Sequence, residues 1–169
     1  MNKFFTMLSV LVLSVAAMAG TPFSNTQYSA EFNGAVSHSV DTNPTNTTYD
    51  TYSFDGIISE EVSYRVVDHD IAATTQSSDF YLNDNIQASN GTLIKSSQDV
   101  YQGLPFTYGY FTYTDKSGVL TVQRERFIIK NSREVFFISM VYPASLDATD
   151  GGAATHDLWQ AFENTLVIK

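Results

Sequence analysis

The stretch "GVLTVQRERFIIKNSREVFFISMVY", Gly118 to Tyr142, decides the fold. Its β-branched and aromatic residues predict two long strands joined by a turn at "KNSR". The preceding "FTYGYFTYT" and the turn "DKSG" add another strand, so the segment from Phe106 to Tyr142 is predicted to be a three-stranded antiparallel meander. Arg124 and Arg126 interrupt the apolar pattern in the middle of the second strand.

The register of the meander follows from its turns. If both turns contain an even number of residues, Thr114 pairs with Val119 and Ile129 pairs with Glu134. Alternation along the strands then makes both faces of the sheet apolar. A sheet that is apolar on both faces needs cover on both, so we predict helices on each side.

In this register Arg124 faces Gly109 and Ser139, whose small side chains leave room for a guanidinium group. Arg126 shares the face of Arg124, and Glu125 points to the opposite one. One interpretation is that Arg124 and Arg126 hold a small anionic or aromatic-anionic ligand over Gly109 and Ser139 through bidentate contacts. The predicted ligand-binding residues are therefore Arg124, Arg126, Gly109 and Ser139.

The alternative interpretation is structural. A buried charge is costly unless it is paired, and carboxylates on a covering helix would satisfy the arginines. Asp157 and Glu163 of the last predicted helix are the candidates for this pairing.

Two helices are predicted outside the meander. The first covers about Asp79 to Ser89, with Ser78 as its N-cap. The second carries an apolar stripe of Leu158, Trp159 and Phe162 and is capped by Asp150 or Thr155. Further short strands are predicted at Tyr28–Phe32, Tyr49–Phe54, Glu61–Asp68 and the closing "TLVIK", and a surface loop at Asp41–Thr51. The fold class is α+β: an antiparallel sheet of about six strands covered by helices, an α/β/α sandwich.

The first residues predict export. A positive start at Lys3, an apolar run and the small-residue site Ala17-Met18-Ala19 are typical of a signal peptide over residues 1–19, cleaved after Ala19. With these 19 residues removed, 150 of the 169 remain as one domain, residues 20–169. We expect a periplasmic or secreted protein with no membrane span after cleavage.

Composition excludes several chemistries. The chain has no cysteine, which rules out disulfides, thiolate nucleophiles and Cys-ligated metals. Its formal net charge is −9, and it becomes −10 once Lys3 is removed with the leader. This charge argues against nucleic acid and anionic membrane surfaces as partners.

Catalytic and metal motifs are weak. Asp68, His69 and Asp70 are adjacent on a predicted strand, so only the two carboxylates share a face, and a metal site needs three or four converging ligands. No phosphate-binding loop or nucleophile elbow is found in the sequence. We predict no metal, no cofactor and no enzymatic activity.

The order of the motifs resembles a known group. "YSAEFNGAV", "QGLPFTYGYF", the R-x-R-F-I strand, "REVFFISMV" and the closing "WQAFENTLVIK" resemble the PsbP-like and DcrB-like exported bacterial α/β/α sandwich domains. The chain departs from that pattern at Phe32-Asn33-Gly34, where the group usually has proline in the middle. The resemblance implies the sandwich fold and a non-catalytic scaffold, assembly or accessory role.

Three functional hypotheses follow. The first is an exported, non-catalytic accessory or binding protein that contacts another envelope protein or a small ligand. The second is an enzyme without a recognisable motif. The third is a carrier that holds an apolar molecule between sheet and helices.

Overall fold

The computed structural model describes residues 20–34, 36–42, 48–53, 57–67 and 69–169. The predicted signal peptide, residues 1–19, lies outside these residues, as does Asp68 of the candidate metal motif. Neither helix of the described part is long and apolar enough to cross a membrane.

A seven-stranded antiparallel sheet forms the centre of the described fold. Its strands are β3 (Ser37–Thr42), β4 (Thr48–Ser53), β5 (Ser59–Val66), β6 (Thr92–Tyr101), β7 (Leu104–Thr114), β8 (Leu120–Ile129) and β9 (Glu134–Pro143). They lie in the order β3-β4-β5-β9-β8-β7-β6, so β9 joins the two halves of the chain by pairing with β5. This confirms the predicted α+β class, with one strand more than the expected six.

A second, three-stranded sheet contains the first and the last strand of the described residues. Its strands are β1 (Thr21–Ser24), β2 (Tyr28–Phe32) and β10 (Val167–Ile168), in the order β1-β2-β10. The closing strand was predicted correctly but does not extend the main sheet. The predicted loop at Asp41–Thr51 was wrong at both ends, because β3 and β4 extend into it, and its middle, residues 43–47, lies outside the described residues.

The meander is confirmed, but its predicted register was wrong by one residue. Thr114 pairs with Leu120 and Ile129 pairs with Val135, so each turn contains five residues rather than four. In the first turn the Asp115 carboxylate accepts hydrogen bonds from the backbone N–H groups of Ser117 and Val119, at 2.8 and 2.9 Å. These side-chain contacts stabilise the longer turn.

The first helix, α1, covers Thr75–Ala88 and begins one turn earlier than predicted. Thr74 caps it, because its hydroxyl accepts a hydrogen bond from the backbone N–H of Ser77. The predicted cap, Ser78, lies inside the helix, where its hydroxyl contacts that of Thr107 at 2.7 Å. Ser78 therefore attaches the helix to the sheet.

The second helix, α2, covers Ala153–Thr165, and its N-cap residue is Gly152 rather than the predicted Asp150 or Thr155. The Asp150 carboxylate accepts hydrogen bonds from the backbone N–H groups of Gly152, Ala153 and Ala154. Trp159 and Phe162 of the predicted apolar stripe are buried.

The two helices lie on opposite faces of the main sheet. Helix α1 packs on the face that carries Phe111, Phe127 and Ile129. Helix α2 and the small sheet cover the other face, where Phe136 and Ile138 belong to the larger core. These are called the α1 face and the α2 face below.

Candidate functional site

The corrected register separates the four residues predicted to bind a ligand. Arg124 pairs with Tyr110, and Arg126 pairs with Tyr108, so both arginines lie on the α2 face. Gly109 pairs with Glu125. Ser139 also pairs with Glu125, and directly opposed residues share a face. Gly109 and Ser139 therefore lie on the α1 face, and their predicted grouping with the arginines was wrong.

Gly109 has a packing function instead. A Cβ atom at this position would lie 2.2 Å from Cδ1 of Leu82 on α1. The absent side chain allows the helix to approach the sheet closely.

Arg126 forms an ion pair with Glu163 of α2, which is one of the two carboxylates predicted as partners of the arginines. The guanidinium and carboxylate are 2.5 Å apart. Burial lowers the pKa of Arg126 and raises the pKa of Glu163, and the attraction between them opposes both shifts. The Arg126 guanidinium also lies over the ring of Phe106, 4.0 Å from its centroid. Asp157, the other predicted partner, is exposed.

Arg124 has a different environment, because its partners are tyrosine hydroxyls. It is 7% exposed, and its Nε donates to the hydroxyl of Tyr142 at 3.0 Å. Its Nη1 lies 3.4 Å from the hydroxyl of Tyr108, and its guanidinium stacks 4.5 Å from the ring centroid of Tyr110. Among the described residues Arg124 takes part in no ion pair.

The tyrosines around Arg124 also form hydrogen bonds with a single carboxylate, that of Asp147. Tyr110 and Tyr142 both donate to Oδ2 of Asp147, at 3.0 and 3.3 Å, and Thr155 donates to Oδ1 at 2.7 Å. Burial, and then the hydrogen bond to Asp147, raise the pKa of Tyr110 to about 12. Burial alone would lower the pKa of Arg124, but its tyrosine partners raise it overall. The guanidinium is therefore charged.

A cavity of about 490 Å³ opens beside the two arginines, between α2 and strands β6 to β8. We call it the arginine cleft. Its charged lining residues come from three strands and the helix, and aromatic rings complete the walls. The charged residues are Lys95, Asp99, Arg124, Arg126 and Glu163, and the rings are those of Phe106, Tyr108, Tyr110, Trp159 and the exposed His156.

Glu125 is the buried acid of the α1 face. It is 0% exposed, and burial raises its pKa to about 8. Its Oε2 accepts hydrogen bonds from the amides of Asn85 at 2.6 Å and Gln123 at 2.7 Å. Its Oε1 has no hydrogen-bond partner among the described residues. The carboxyl group is therefore largely protonated at neutral pH.

A second cavity, of about 440 Å³, lies on the α1 face between the helix and strands β5, β8 and β9. Tyr81, Phe127 and Phe137 line it, and Arg65 lies over the ring of Tyr81 at 5.3 Å. Its walls are more apolar than those of the arginine cleft. Within the described residues, no group of three or more His, Asp or Glu side chains is arranged to bind a metal.

Arg124, Arg126 and Glu163 were predicted from the sequence, whereas Tyr142 and Asp147 were not. Asp147 follows a short 3-10 turn, Ala144–Leu146, which returns the chain toward α2. No spacing in the sequence indicates that this turn brings Asp147 to Tyr142. Tyr108 and Tyr110 of β7, which also contact Arg124, were not among the predicted site residues either.

The fold defines the chain as an α+β sandwich with one helix on each face of an antiparallel sheet. No protein-family model matches it, and no curated protein sequence matches it. LpqN of Mycobacterium tuberculosis, a protein involved in cell envelope biogenesis, has a similar structure with a TM-score of 0.50. It is 10% identical, and the similarity covers 81% of this chain and 93% of that chain. At this identity the similarity supports the shared fold alone.

Two further structures are similar at lower scores. PA94 of Pseudomonas aeruginosa, a protein of unknown function and putative regulator, is 11% identical over 82% of this chain and 93% of that chain, with a TM-score of 0.42. The Ran-binding protein Mog1p of Saccharomyces cerevisiae is 14% identical over 79% and 96%, with a TM-score of 0.43. These scores are too low to support a further conclusion.

Proposed function

We propose that the chain is an exported, non-catalytic binding protein of the PsbP-like or DcrB-like kind, and that its arginine cleft binds a small anionic ligand. Export is proposed from the leader pattern of residues 1–19. The site is proposed from the geometry of Arg124.

The observation that carries the proposal is the incomplete pairing of Arg124. A guanidinium has five N–H donors, and Arg124 uses one on Tyr142 and one on Tyr108. A buried cation without a carboxylate partner is costly. Among the described residues, Asp147 is linked to Arg124 by hydrogen bonds only through the hydroxyl of Tyr142, which bonds both groups. An anion entering the cleft would supply the direct partner.

The charge of the cleft supports an anionic ligand. Three lining cations, Lys95, Arg124 and Arg126, exceed the two lining carboxylates, Asp99 and Glu163. The chain as a whole has a formal net charge of −9. The cleft is therefore a local positive region on an acidic protein, which attracts anions selectively.

The aromatic walls restrict the ligand further. Trp159 is 1% exposed and Phe106 is 6% exposed, and both line the cleft. Pockets of this kind combine apolar walls with a few polar groups that orient the ligand. A carboxylate attached to a small apolar or aromatic body fits this combination better than inorganic phosphate.

Isothermal titration calorimetry with acetate, benzoate and phosphate tests the proposal. We expect benzoate to bind most tightly and Arg124→Gln to weaken binding at least about tenfold, because a charge-assisted hydrogen bond contributes roughly 1.5–3 kcal/mol. Arg124→Lys should weaken it less, since it keeps the charge but loses the bidentate geometry. Lys116→Gln, in the exposed turn between β7 and β8, removes the same charge and should have no effect.

Circular dichroism shows whether each variant is folded. The ligand proposal is overturned if none of the three anions binds the wild type at millimolar concentration. It is also overturned if a folded Arg124→Gln variant binds benzoate as tightly as the wild type. N-terminal sequencing of the purified protein tests export separately, and we expect it to begin at Gly20.

A further inference from the structure

Strand β6 is an unusually exposed edge of the main sheet. It is ten residues long, and every residue except the half-buried Tyr101 is exposed. Three large apolar side chains are among them: Leu93 is 44% exposed, Ile94 53% and Val100 59%. Long edge strands with exposed apolar residues pair readily with other strands.

The backbone of β6 can accept such a partner. Tyr101 and Leu104 flank a two-residue turn at Gln102 and Gly103, which both have positive φ. In a hairpin of this kind the flanking pair is hydrogen-bonded, and every second residue of the strand then directs its N–H toward the neighbouring strand. The N–H groups of Ser96, Gln98 and Val100 consequently point away from β7.

One of these outward groups has a local partner. The backbone N–H of Val100 donates to the carboxylate of Asp99 at 2.8 Å. This local bond occupies the position that a neighbouring strand's carbonyl would take.

We propose that β6 pairs antiparallel with β6 of a second copy of this chain, about a twofold axis through Ser97. The two sheets would then form one continuous sheet. The inference rests on the edge strand alone and does not depend on a ligand in the arginine cleft.

The charges of the strand select this partner and this register. Lys95 and Asp99 are the only charged residues of β6, and they lie two residues on either side of Ser97. With the axis at Ser97, each Lys95 stands opposite Asp99 of the second copy, and the pair occurs twice. Moving the axis by one residue in either direction, to Ser96 or to Gln98, places both charges opposite uncharged residues. Opposite charges stabilise a cross-strand pair, and like charges destabilise it.

The positions of the side chains agree with the same register. Lys95, Ser97 and Asp99 all lie on the α2 face, because they pair with Tyr110, Tyr108 and Phe106 of β7. Their partners in the second copy would lie on that face too.

The outward groups also become paired in this register. Ser96 would exchange backbone hydrogen bonds with Gln98 of the second copy. The regular part of β6 begins at Lys95, because its pairing with β7 shifts register between Leu93 and Lys95. The pairing between copies therefore covers Lys95 to Asp99, and it releases the Asp99 carboxylate to meet Lys95. Lys95 also deters unrelated strands, since a lysine on an edge opposes pairing unless an acid stands opposite it.

The dimer would place two arginine clefts side by side. Lys95 and Asp99 line the cleft of their own chain, so the same residues of the second copy would adjoin its rim. A single strand pair buries less surface than the roughly 1,600 Å² of a standard interface. We therefore expect a reversible monomer–dimer equilibrium.

Sedimentation velocity over a concentration series, without added ligand, tests the pairing. We expect the wild type to dimerise as its concentration rises. Lys95→Asp places like charges opposite each other twice, and so does Asp99→Lys, so each variant should weaken dimerisation at least about tenfold. An equimolar mixture of the two variants restores both opposite-charge pairs, and we expect heterodimers, detected by their distinct masses in native mass spectrometry.

A backbone variant provides a second, independent measurement. Gln98→Pro removes an outward N–H, and proline is tolerated on an edge strand where the N–H faces solvent. We expect it to stay folded by circular dichroism and to be monomeric.

Three results would overturn the proposal. The first is a wild type that stays monomeric up to about millimolar concentration, well above the range of weak specific complexes. The second is a dimer that both charge variants and Gln98→Pro leave unchanged, which would place the interface elsewhere. The third is a mixture of the charge variants that forms no heterodimer.

Discussion

The carboxylate of Glu163 on α2 lies 2.5 Å from the guanidinium of Arg126 on β8 and joins the last helix to the middle of the main sheet. The two side chains are only 8% and 12% exposed. Breaking a buried ion pair leaves one charge without compensation, whereas replacing both partners by apolar residues removes the problem.

We expect Glu163→Gln to lower the free energy of unfolding by about 3 kcal/mol, because Arg126 would stay buried without its anion. The double variant Arg126→Met/Glu163→Met should recover most of this loss. Urea unfolding followed by the fluorescence of Trp159, the only tryptophan, measures both. Asp157→Asn on the exposed side of the same helix is the control. A loss of less than about 1 kcal/mol for Glu163→Gln, as at a surface pair, would contradict the prediction.

Glu125 should make the stability of the protein depend on pH. Its pKa is about 8 in the folded protein against an ordinary value of 4.5. The folded state therefore keeps the proton in a range where the unfolded chain loses it. The resulting stabilisation is fully present below pH 4.5 and is lost as the pH rises to about 8.

We expect Glu125→Gln, which stays neutral, to gain stability relative to the wild type across this range. The gain between pH 5 and pH 8 should be on the order of a few kcal/mol. Burial also raises the pKa values of Glu60 and Glu61. Glu60 and Glu61 are present in both proteins, so their contribution cancels in the difference between the unfolding free energies of the wild type and the variant. A difference that stays constant with pH in urea unfolding would show that Glu125 does not titrate in this range.

Gly109 and Leu82 should be energetically coupled. Gly109→Ala would drive a Cβ atom into Leu82, and overpacking of this kind costs about 1–3 kcal/mol of unfolding free energy. Leu82→Ala alone should cost about 2–5 kcal/mol through the cavity that it leaves. In the double variant the new methyl group enters that cavity. The double variant should therefore lose less unfolding free energy than the sum of the losses of the two single variants. Strictly additive losses in a double-mutant cycle would contradict the contact.

Asp150 should stabilise α2 in its ionised form only. Hydrogen bonds from the backbone N–H groups of Ala154, Gly152 and Ala153 hold the pKa of Asp150 below its ordinary value. The stabilisation is therefore present at neutral pH and is lost as the pH falls through the folded pKa. We expect Asp150→Ala to lower the Tm at pH 7 and the difference to shrink in acid. Asp150→Asn keeps an oxygen that can accept these hydrogen bonds, so its Tm should lie between those of the wild type and Asp150→Ala. If the Tm of Asp150→Ala equals that of the wild type, these hydrogen bonds do not stabilise α2.

The strands and helices were largely predictable from sequence because their signals are local. The meander, the apolar stripe of α2 and the hydrogen bonds from its first turn to Asp150 each depend on residues within a few positions of one another. The start of α1 was missed because Thr74 and Ser78 both suit a cap. Only the contact of Ser78 with Thr107, which is distant in sequence, decides between them.

The candidate site was predicted in part for the same reason. Alternation along β8 determined by itself that Arg124 and Arg126 share a face and that Glu125 lies on the other. Which residues of β7 stand opposite them depends on the turn at Asp115, whose carboxylate holds an extra residue. That residue places Tyr110 instead of Gly109 opposite Arg124, and an extra residue in the turn between β8 and β9 places Met140 there instead of Ser139. Gly109 and Ser139 consequently lie on the other face, because side chains alternate with a period of two.

The sequence by itself thus determined the α+β class, the meander and the shared face of Arg124 and Arg126. Tertiary structure alone decided that Arg126 meets Glu163 while Arg124 reaches Asp147 only through tyrosines. Alternation is a property of each strand, whereas these contacts require the 3-10 turn and α2 to pack on the sheet. The difference between a paired and an incompletely paired arginine, on which the proposed site depends, comes from that packing.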